Sequence, residues 1–279
     1  MELDPRFIDD FVRRALAEDL GAPGDITSDS VIPEDARLIA TMAAREPMVI
    51  AGLPAALAVF KALDPNCRVD AHQKDCAQIG AGEIIAIIDG LARALLSAER
   101  TALNILQHLS GIASLTHSYV DEIAGTGAVL LDTRKTIPGL RHLQKYATAA
   151  GGGQNHRMGL FDGVLIKDNH IAVAGGVTAA IKAAQVAGLS DIQVECDTLD
   201  QMRDALAAGA KRLLLDNMGP DLLREAVSLA DGRATLEASG GVTLDTIRAI
   251  AETGVDFISV GRLTQSAPAI DIGLDYAGM

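Results

Sequence analysis

Apolar and polar positions along the 279-residue chain follow two different patterns, and the change comes near Gly127. Before it the pattern is mixed. Phe7 to Glu18 carries apolar residues at helical spacing and predicts an amphipathic helix. The turn-rich stretch from Gly21 to Ser30 leads to short segments that predict strands at Leu38 to Ala44, Met48 to Gly52, Arg68 to Ala71 and Ile84 to Asp89. Helical spacing returns over Leu53 to Leu63. It returns again from Arg93 to about Ile123, where Leu95, Leu96, Leu103, Leu106 and Leu109 share one side. A helix that long is expected to bridge two domains.

After Gly127 short, nearly continuous apolar runs recur: AVLL from Ala128, GVLI from Gly163, IQVEC from Ile192, RLLL from Arg212, ATLE from Ala234 and FISV from Phe257. Runs of this kind suit strands buried on both faces. Helical patterns fill the gaps at Val177 to Ala187, Leu199 to Ala208, Pro220 to Leu229 and Leu244 to Glu252, so the unit is a repeated βα. Spacing allows either a closed barrel or an open doubly wound sheet. The barrel is favoured because polar residues follow nearly every strand, among them Asp132, Arg134, Lys135, Lys167, Asp168, Glu195, Asp216, Glu237, Ser239, Gly261 and Arg262. In a barrel, strand ends converge on one mouth. The expected fold class is α/β: an N-terminal α/β sandwich domain over residues 1–112 and a C-terminal α/β barrel of six or seven strands over 113–269. The tail 270–279 is expected to return to the first domain.

Composition narrows the function. Hydrophobic residues make up 49% of the chain, while aromatics are 3% with no Trp, which disfavours a base-stacking platform. A formal net charge of -13 repels nucleic acid and anionic membranes, so an anionic ligand has to be met by a local cationic pocket. The three cysteines, Cys67, Cys76 and Cys196, lack metal-ligand spacing and suit a reducing compartment. The N-terminal residues do not read as a signal peptide, and no apolar run reaches membrane-spanning length, so a cytoplasmic protein is expected.

Between Asp132 and Lys167 the charge inverts, with Arg134, Lys135, Arg141, Lys145, Arg157 and Lys167 against Asp132 and Asp162. Arg134, Lys135 and Lys167 fall at strand ends, and His156 and Arg157 follow the glycines 151–153; together they read as a clamp for a small polyanion. Arg141 and Lys145, at helical spacing, read as a solvated basic surface. Glu195 and Asp216 end neighbouring strands and can either hold Mg²⁺ or pair with those cations. Ser239-Gly240-Gly241, ahead of a helix that Thr243 can cap, and Gly261 after the last strand read either as ordinary turns or as phosphate sites. Of the histidines only His156 and His170 sit in this constellation, and no zinc, ATP or NAD motif is present.

Longer blocks add a family. ERTALNILQHLSGIAS, LDTRKTIPGLR, GGGQNHRMGLFDGVLIKDNHI, LLLDNM and LEASGGV resemble quinolinate phosphoribosyltransferase, the carboxylating nicotinate-nucleotide pyrophosphorylase, over nearly the whole chain. The resemblance implies transfer of a phosphoribosyl group from phosphoribosyl pyrophosphate to the ring nitrogen of quinolinate, with loss of carbon dioxide. It implies that Arg134, Lys135, His156, Arg157 and Lys167 bind the quinolinate carboxylates. Glu195 and Asp216 then serve Mg²⁺ and the ribose, with Lys135 beside them in a catalytic role, and Ser239, Gly240, Gly241 and Gly261 hold the 5-phosphate. It also implies a homodimer in which Arg100 completes the partner's site. The chain departs from the family pattern at Arg262, where a small residue is usual, at Gln265, where His is common, and at 148–150, which lacks an Arg often present. Three alternatives keep the same residues: a related transferase acting on another heteroaromatic acceptor, a lyase using Lys167 as a Schiff-base nucleophile, and a non-catalytic phosphate-ligand sensor.

Overall fold

The computed structural model describes residues 3–276. Packing divides the chain into two compact units. One runs through His117 and takes in His142–Gly152 and the segment from Ser266; the other comprises Ser118–Arg141 and Gly153–Gln265.

The first unit begins with α1 (Pro5–Leu20). The Asp4 carboxylate accepts the Arg6 N–H at 2.9 Å, Pro5 stands in the first turn where a missing N–H has no consequence, and Ile8, Val12 and Leu16 form the buried stripe. A second helix, α2 (Ile26–Val31), occupies the stretch that the turn residues alone mark as a loop. Its cause is Asp25, whose carboxylate accepts the N–H groups of Thr27 and Ser28 at 3.1 and 3.0 Å. Then come β1 (Arg37–Ala44), β2 (Met48–Val49), α3 (Leu53–Leu63), β3 (Arg68–Ala71), β4 (Gln78–Ile79), β5 (Ile84–Leu91) and α4 (Ala92–Glu122). β5 lies between β1 and β3, antiparallel to both, and β2 pairs with β4. Gly52 at φ 86° allows α3 to start hard against α4, since a Cβ there would lie 2.4 Å from Leu109 Cδ1.

The second unit is built on parallel strands. After β6 (Val129–Leu131) and α5 (Arg141–Ala150), most of which belongs to the first unit, the order is β7 (Leu165–Ile166), α6 (Asp168–Ala174), α7 (Val177–Val186), β8 (Gln193–Cys196), α8 (Leu199–Ala207), β9 (Arg212–Asp216), α9 (Pro220–Ala230), β10 (Thr235–Ser239), α10 (Leu244–Ala251), β11 (Phe257–Ser259) and α11 (Arg262–Gln265). The ladder runs β6-β11-β10-β9-β8-β7. On the free side of β6, Gln154 bridges to Leu131, and its N–H donates to the Leu130 carbonyl at 2.9 Å. The result is the barrel-like α/β architecture that the polar residues at the strand ends favoured. The three central residues of β9, Leu213–Leu215, are buried and apolar, as a strand covered on both faces requires, whereas all four residues of β8 and the three central residues of β10 are buried although Gln193, Glu195 and Glu237 are among them. The chain then returns through β12 (Ile272–Tyr276), which adds antiparallel to β1 with Ala40 opposite Tyr276 and makes that sheet four-stranded. Residues 277–279 of the expected tail lie outside the described residues.

Two cations depart from the solvated-surface expectation. Lys145 is fully buried on α5. Arg141 is half-buried and spends its guanidinium on protein acceptors: Thr136 Oγ1 at 2.9 Å, the Met158 carbonyl at 3.1 Å and the Arg134 carbonyl at 3.5 Å. Helical spacing alone does not reveal that their face of α5 is packed.

Candidate active site

At the carboxyl ends of the parallel strands the second unit holds a cavity of about 520 Å³. Its wall carries Arg134, Lys135, His156, Arg157, Lys167, Glu195, Asp216, Ser239, Gly240, Gly241 and Gly261, so residues spread over more than a hundred positions meet in one place. Arg100 is exposed on α4 in the first unit. His170 does not line the cavity: its Nδ1 accepts the Lys167 N–H at 2.9 Å and caps α6.

The basic wall is assembled by hydrogen bonds around the end of β6. Asp132 is fully buried and accepts the Asn155 amide and the His156 N–H, each at 2.8 Å, which draws the 155–157 segment against the strand end. The Arg157 guanidinium donates to the Gly163 carbonyl at 2.9 Å. Burial, then the neighbouring Arg134 guanidinium, push the Arg157 pKa below its usual value, with Asp162 opposing. Arg134 Nε is buried with no partner among the described residues. Two crowded guanidiniums, one with an unused buried donor, form a site that an anion stabilises.

Across the cavity stand the acids. Lys167 Nζ lies 2.6 Å from Glu195 Oε2; the lysine is half exposed and the glutamate 6% exposed. Glu195 therefore already takes the cation-pairing option that the sequence left open. Asp216 is raised above the usual carboxylate range by burial, then by Glu195, while Lys167 and Lys135 draw it back. Among the described residues no group of three or more His, Cys, Asp or Glu side chains is placed to hold a metal, so Glu195 and Asp216 offer Mg²⁺ two carboxylates, hard oxygen donors of the kind it takes together with water and substrate phosphates.

The third wall is backbone. Gly240 and Gly241 take φ values of 95° and 62°, which turn the chain from β10 toward α10, with Val242 and the N-cap Thr243 also on the cavity surface. N–H groups at such a helix start favour phosphate. Opposite, Gly261 leaves room for Lys135, whose Cδ would lie 2.7 Å from a Cβ there. The Thr264 hydroxyl donates to the Lys135 carbonyl at 2.8 Å and steadies the same corner. The two unusual residues, Arg262 and Gln265, both line this cavity.

Two further residues line the cavity: Glu237, which sequence reasoning placed at a strand end without giving it a role, and Ser259, which it passed over. The usable signal was strand alternation. Glu237 stands two residues before Ser239 and Ser259 two before Gly261, so each shares a face with a residue already singled out.

Comparison with known proteins agrees with this geometry over most of the chain. Residues 25–110 match the family described as quinolinate phosphoribosyl transferase, N-terminal domain, and residues 112–275 match its C-terminal domain. A Bacillus subtilis protein named probable nicotinate-nucleotide pyrophosphorylase [carboxylating] is 45% identical over 92% of this chain and 89% of its own length. A Mycobacterium leprae protein named nicotinate-nucleotide pyrophosphorylase [carboxylating] is 45% identical over 95% of this chain and 96% of its own. The solved nicotinate-nucleotide pyrophosphorylase from Francisella tularensis superposes with a TM-score of 0.93 at 43% identity, covering 99% of this chain and 98% of that one. With both of its domain models matched in order and close relatives covered nearly end to end, this chain belongs to the quinolinate phosphoribosyltransferase family.

Proposed function

We propose that the protein transfers the phosphoribosyl group of phosphoribosyl pyrophosphate to the ring nitrogen of quinolinate and releases pyrophosphate and carbon dioxide, leaving nicotinate mononucleotide for NAD synthesis. The observation that carries this reading is the single cavity in which a basic wall, an acid pair and two backbone turns face one another. Each matches one part of the two substrates.

In this reading Arg134, Lys135, Arg157 and Lys167, with His156 beside them, hold the two carboxylates and aim the ring nitrogen at C1 of the ribose. Ser239, Gly240, Gly241 and Gly261 hold the 5-phosphate. As the bond from C1 to the pyrophosphate oxygen breaks, positive charge grows on the sugar, and the carboxylates of Glu195 and Asp216 stabilise it. Lys135, on the wall of the same cavity, would meet the charge on the departing oxygen. The nitrogen lone pair then forms the new bond to C1. In the quaternised ring the bond from C2 to the carboxylate breaks, carbon dioxide leaves, and the electron pair left on C2 takes a proton. Mg²⁺ held by Glu195 and Asp216, directly or through water, would neutralise charge on the pyrophosphate. Arg100 supports a homodimer: it is exposed on α4 and makes no ion pair among the described residues, as a cation lent to a partner's carboxylate site would. A cytoplasmic setting goes with this reading; Cys67, Cys76 and Cys196 are free thiols, and among the described residues no helix is long and apolar enough to cross a membrane.

The test is release of pyrophosphate and carbon dioxide from quinolinate, phosphoribosyl pyrophosphate and Mg²⁺, with nicotinate in place of quinolinate as the control. Release of both products with quinolinate alone is the expected result. Release of neither refutes the reading. Borohydride trapping on the same preparation is expected to leave no adduct on Lys167.

A further inference from the structure

Beneath the basic wall three side chains from different parts of the barrel close a triangle. Gln193 Nε2 donates to Glu237 Oε2 at 2.7 Å, and His156 Nε2 lies 3.2 Å from Gln193 Oε1 and 3.3 Å from Glu237 Oε2. The other ring nitrogen, His156 Nδ1, accepts the N–H of Arg157 at 2.8 Å. An Nδ1 that accepts carries no proton, so the ring proton sits on Nε2 and points at Gln193 and Glu237. Both imidazole nitrogens are thus occupied by the protein.

Glu237 is only 2% exposed, and a carboxylate under an anion-binding wall would by itself repel the ligand. Burial pushes its pKa up, but the hydrogen bonds from His156 and the Gln193 amide, with the Ser259 hydroxyl nearby, outweigh burial and hold it below the ordinary range. Ser259 stands outside hydrogen-bond geometry with Glu237 Oε1, which has no partner among the described residues. This acid stays charged beneath a cationic wall, with one oxygen committed to Gln193 and His156. That arrangement fits an orienting role better than contact with an anionic substrate.

We infer that Glu237 is a positioning residue for the acceptor-binding wall. Its carboxylate fixes the Gln193 amide and the Nε2-protonated form of His156. His156 in turn fixes the Arg157 backbone, and the far end of Arg157 is tied to the Gly163 carbonyl. The guanidinium is therefore held from both ends, ready for a carboxylate. On this view His156 acts through Arg157 rather than by touching quinolinate. The inference deepens the proposed function and rests on it.

The experiment compares wild type, Glu237→Gln, and the double variant Gln193→Glu/Glu237→Gln, which moves the carboxylate to the other corner of the triangle. Two readouts are taken: steady-state constants for both substrates, and the ¹⁵N resonances of His156 in ligand-free protein, identified by their loss in His156→Ala. Glu237→Gln is expected to raise KM for quinolinate by about tenfold or more while KM for phosphoribosyl pyrophosphate moves little, and to abolish the pure Nε2-protonated signature. The double variant is expected to recover most of both. Unchanged quinolinate KM and His156 signature in Glu237→Gln would overturn the inference, as would a parallel loss for both substrates that the double variant does not rescue. The imidazole signature needs no substrate, so failure of wild-type turnover overturns the proposed function, while the signature in Glu237→Gln judges the positioning role separately.

Discussion

Gly240 tolerates an added methyl group poorly, because its φ of 95° is combined with contacts that leave no space. A Cβ there would lie 2.1 Å from Asn217 Oδ1 and 2.8 Å from Asn217 N. Asn217 cannot easily retreat, since its own φ is 55° and its N–H donates to the Ser239 carbonyl at 2.8 Å. In Gly240→Ala the left-handed conformation costs about 1–2 kcal/mol, and loss of the Asn217 hydrogen bond adds about 1 kcal/mol. The free protein escapes this by opening the turn, so binding a phosphate must restore it. Roughly 2–3 kcal/mol of strain corresponds to a rise of roughly 30- to 150-fold in KM for phosphoribosyl pyrophosphate. Gly241 is the internal control: its φ is 62° but nothing lies within 4 Å of a Cβ, so Gly241→Ala should carry only the conformational part. The assay is initial velocity against phosphoribosyl pyrophosphate at saturating quinolinate, with the quinolinate KM measured in parallel. A Gly240→Ala protein whose phosphoribosyl pyrophosphate KM stays within about twofold of wild type, or one weakened equally toward both substrates, would refute the assignment of this turn to the 5-phosphate.

Lys167→Met removes a cation that draws the Asp216 acid down, leaving burial and Glu195 to raise it further. Because the ionised carboxylate is the useful form, the acidic limb of the pH profile of kcat/KM should move to higher pH, and an unmoved limb would contradict the coupling. Arg141→Lys keeps the charge but loses the fork that joins Thr136, Met158 and Arg134. It should lower kcat/KM by about tenfold or more, as judged from the loss of at least one hydrogen bond to a charged group, without Arg141 itself lining the cavity. Among the thiols, Cys196 is buried and pushed up to about 12, chiefly by burial, and burial likewise raises Cys67, whereas Cys76 is exposed. Iodoacetamide at mildly alkaline pH should label Cys76 in the folded protein and reach the other two only after unfolding, as mass spectrometry of the digested protein can show.

Much of the fold was legible from local pattern. The continuous apolar run at 213–215 had to be buried on both faces, the stretch at 192–196 repeats its length with only Gln193 and Glu195 interrupting, and the helical stripes between such segments had to cover those faces, so the βα repeat followed from the pattern alone. Most of the candidate site was legible for a related reason: polar residues placed directly after buried strands have one open direction, the mouth. Less legible were α2, which depends on one capping carboxylate, and the packed face of α5, which depends on what lies against it.

The sequence by itself determined most of the segments that become strands and helices, which cations and acids stand at strand ends, and the family, because these depend on near neighbours and on long collinear blocks. Only the tertiary structure decided how those groups are shared. Lys167 pairs with Glu195 across 28 positions, and Gln193 with Glu237 across 44. Strand alternation puts Glu237 on the inner face, but nothing in local spacing names Gln193 as its partner. The curl of a parallel sheet brings alternate residues of separate strands onto one inner face, so a buried acid such as Glu237 acquires its partners from register and closure rather than from its neighbours in the chain.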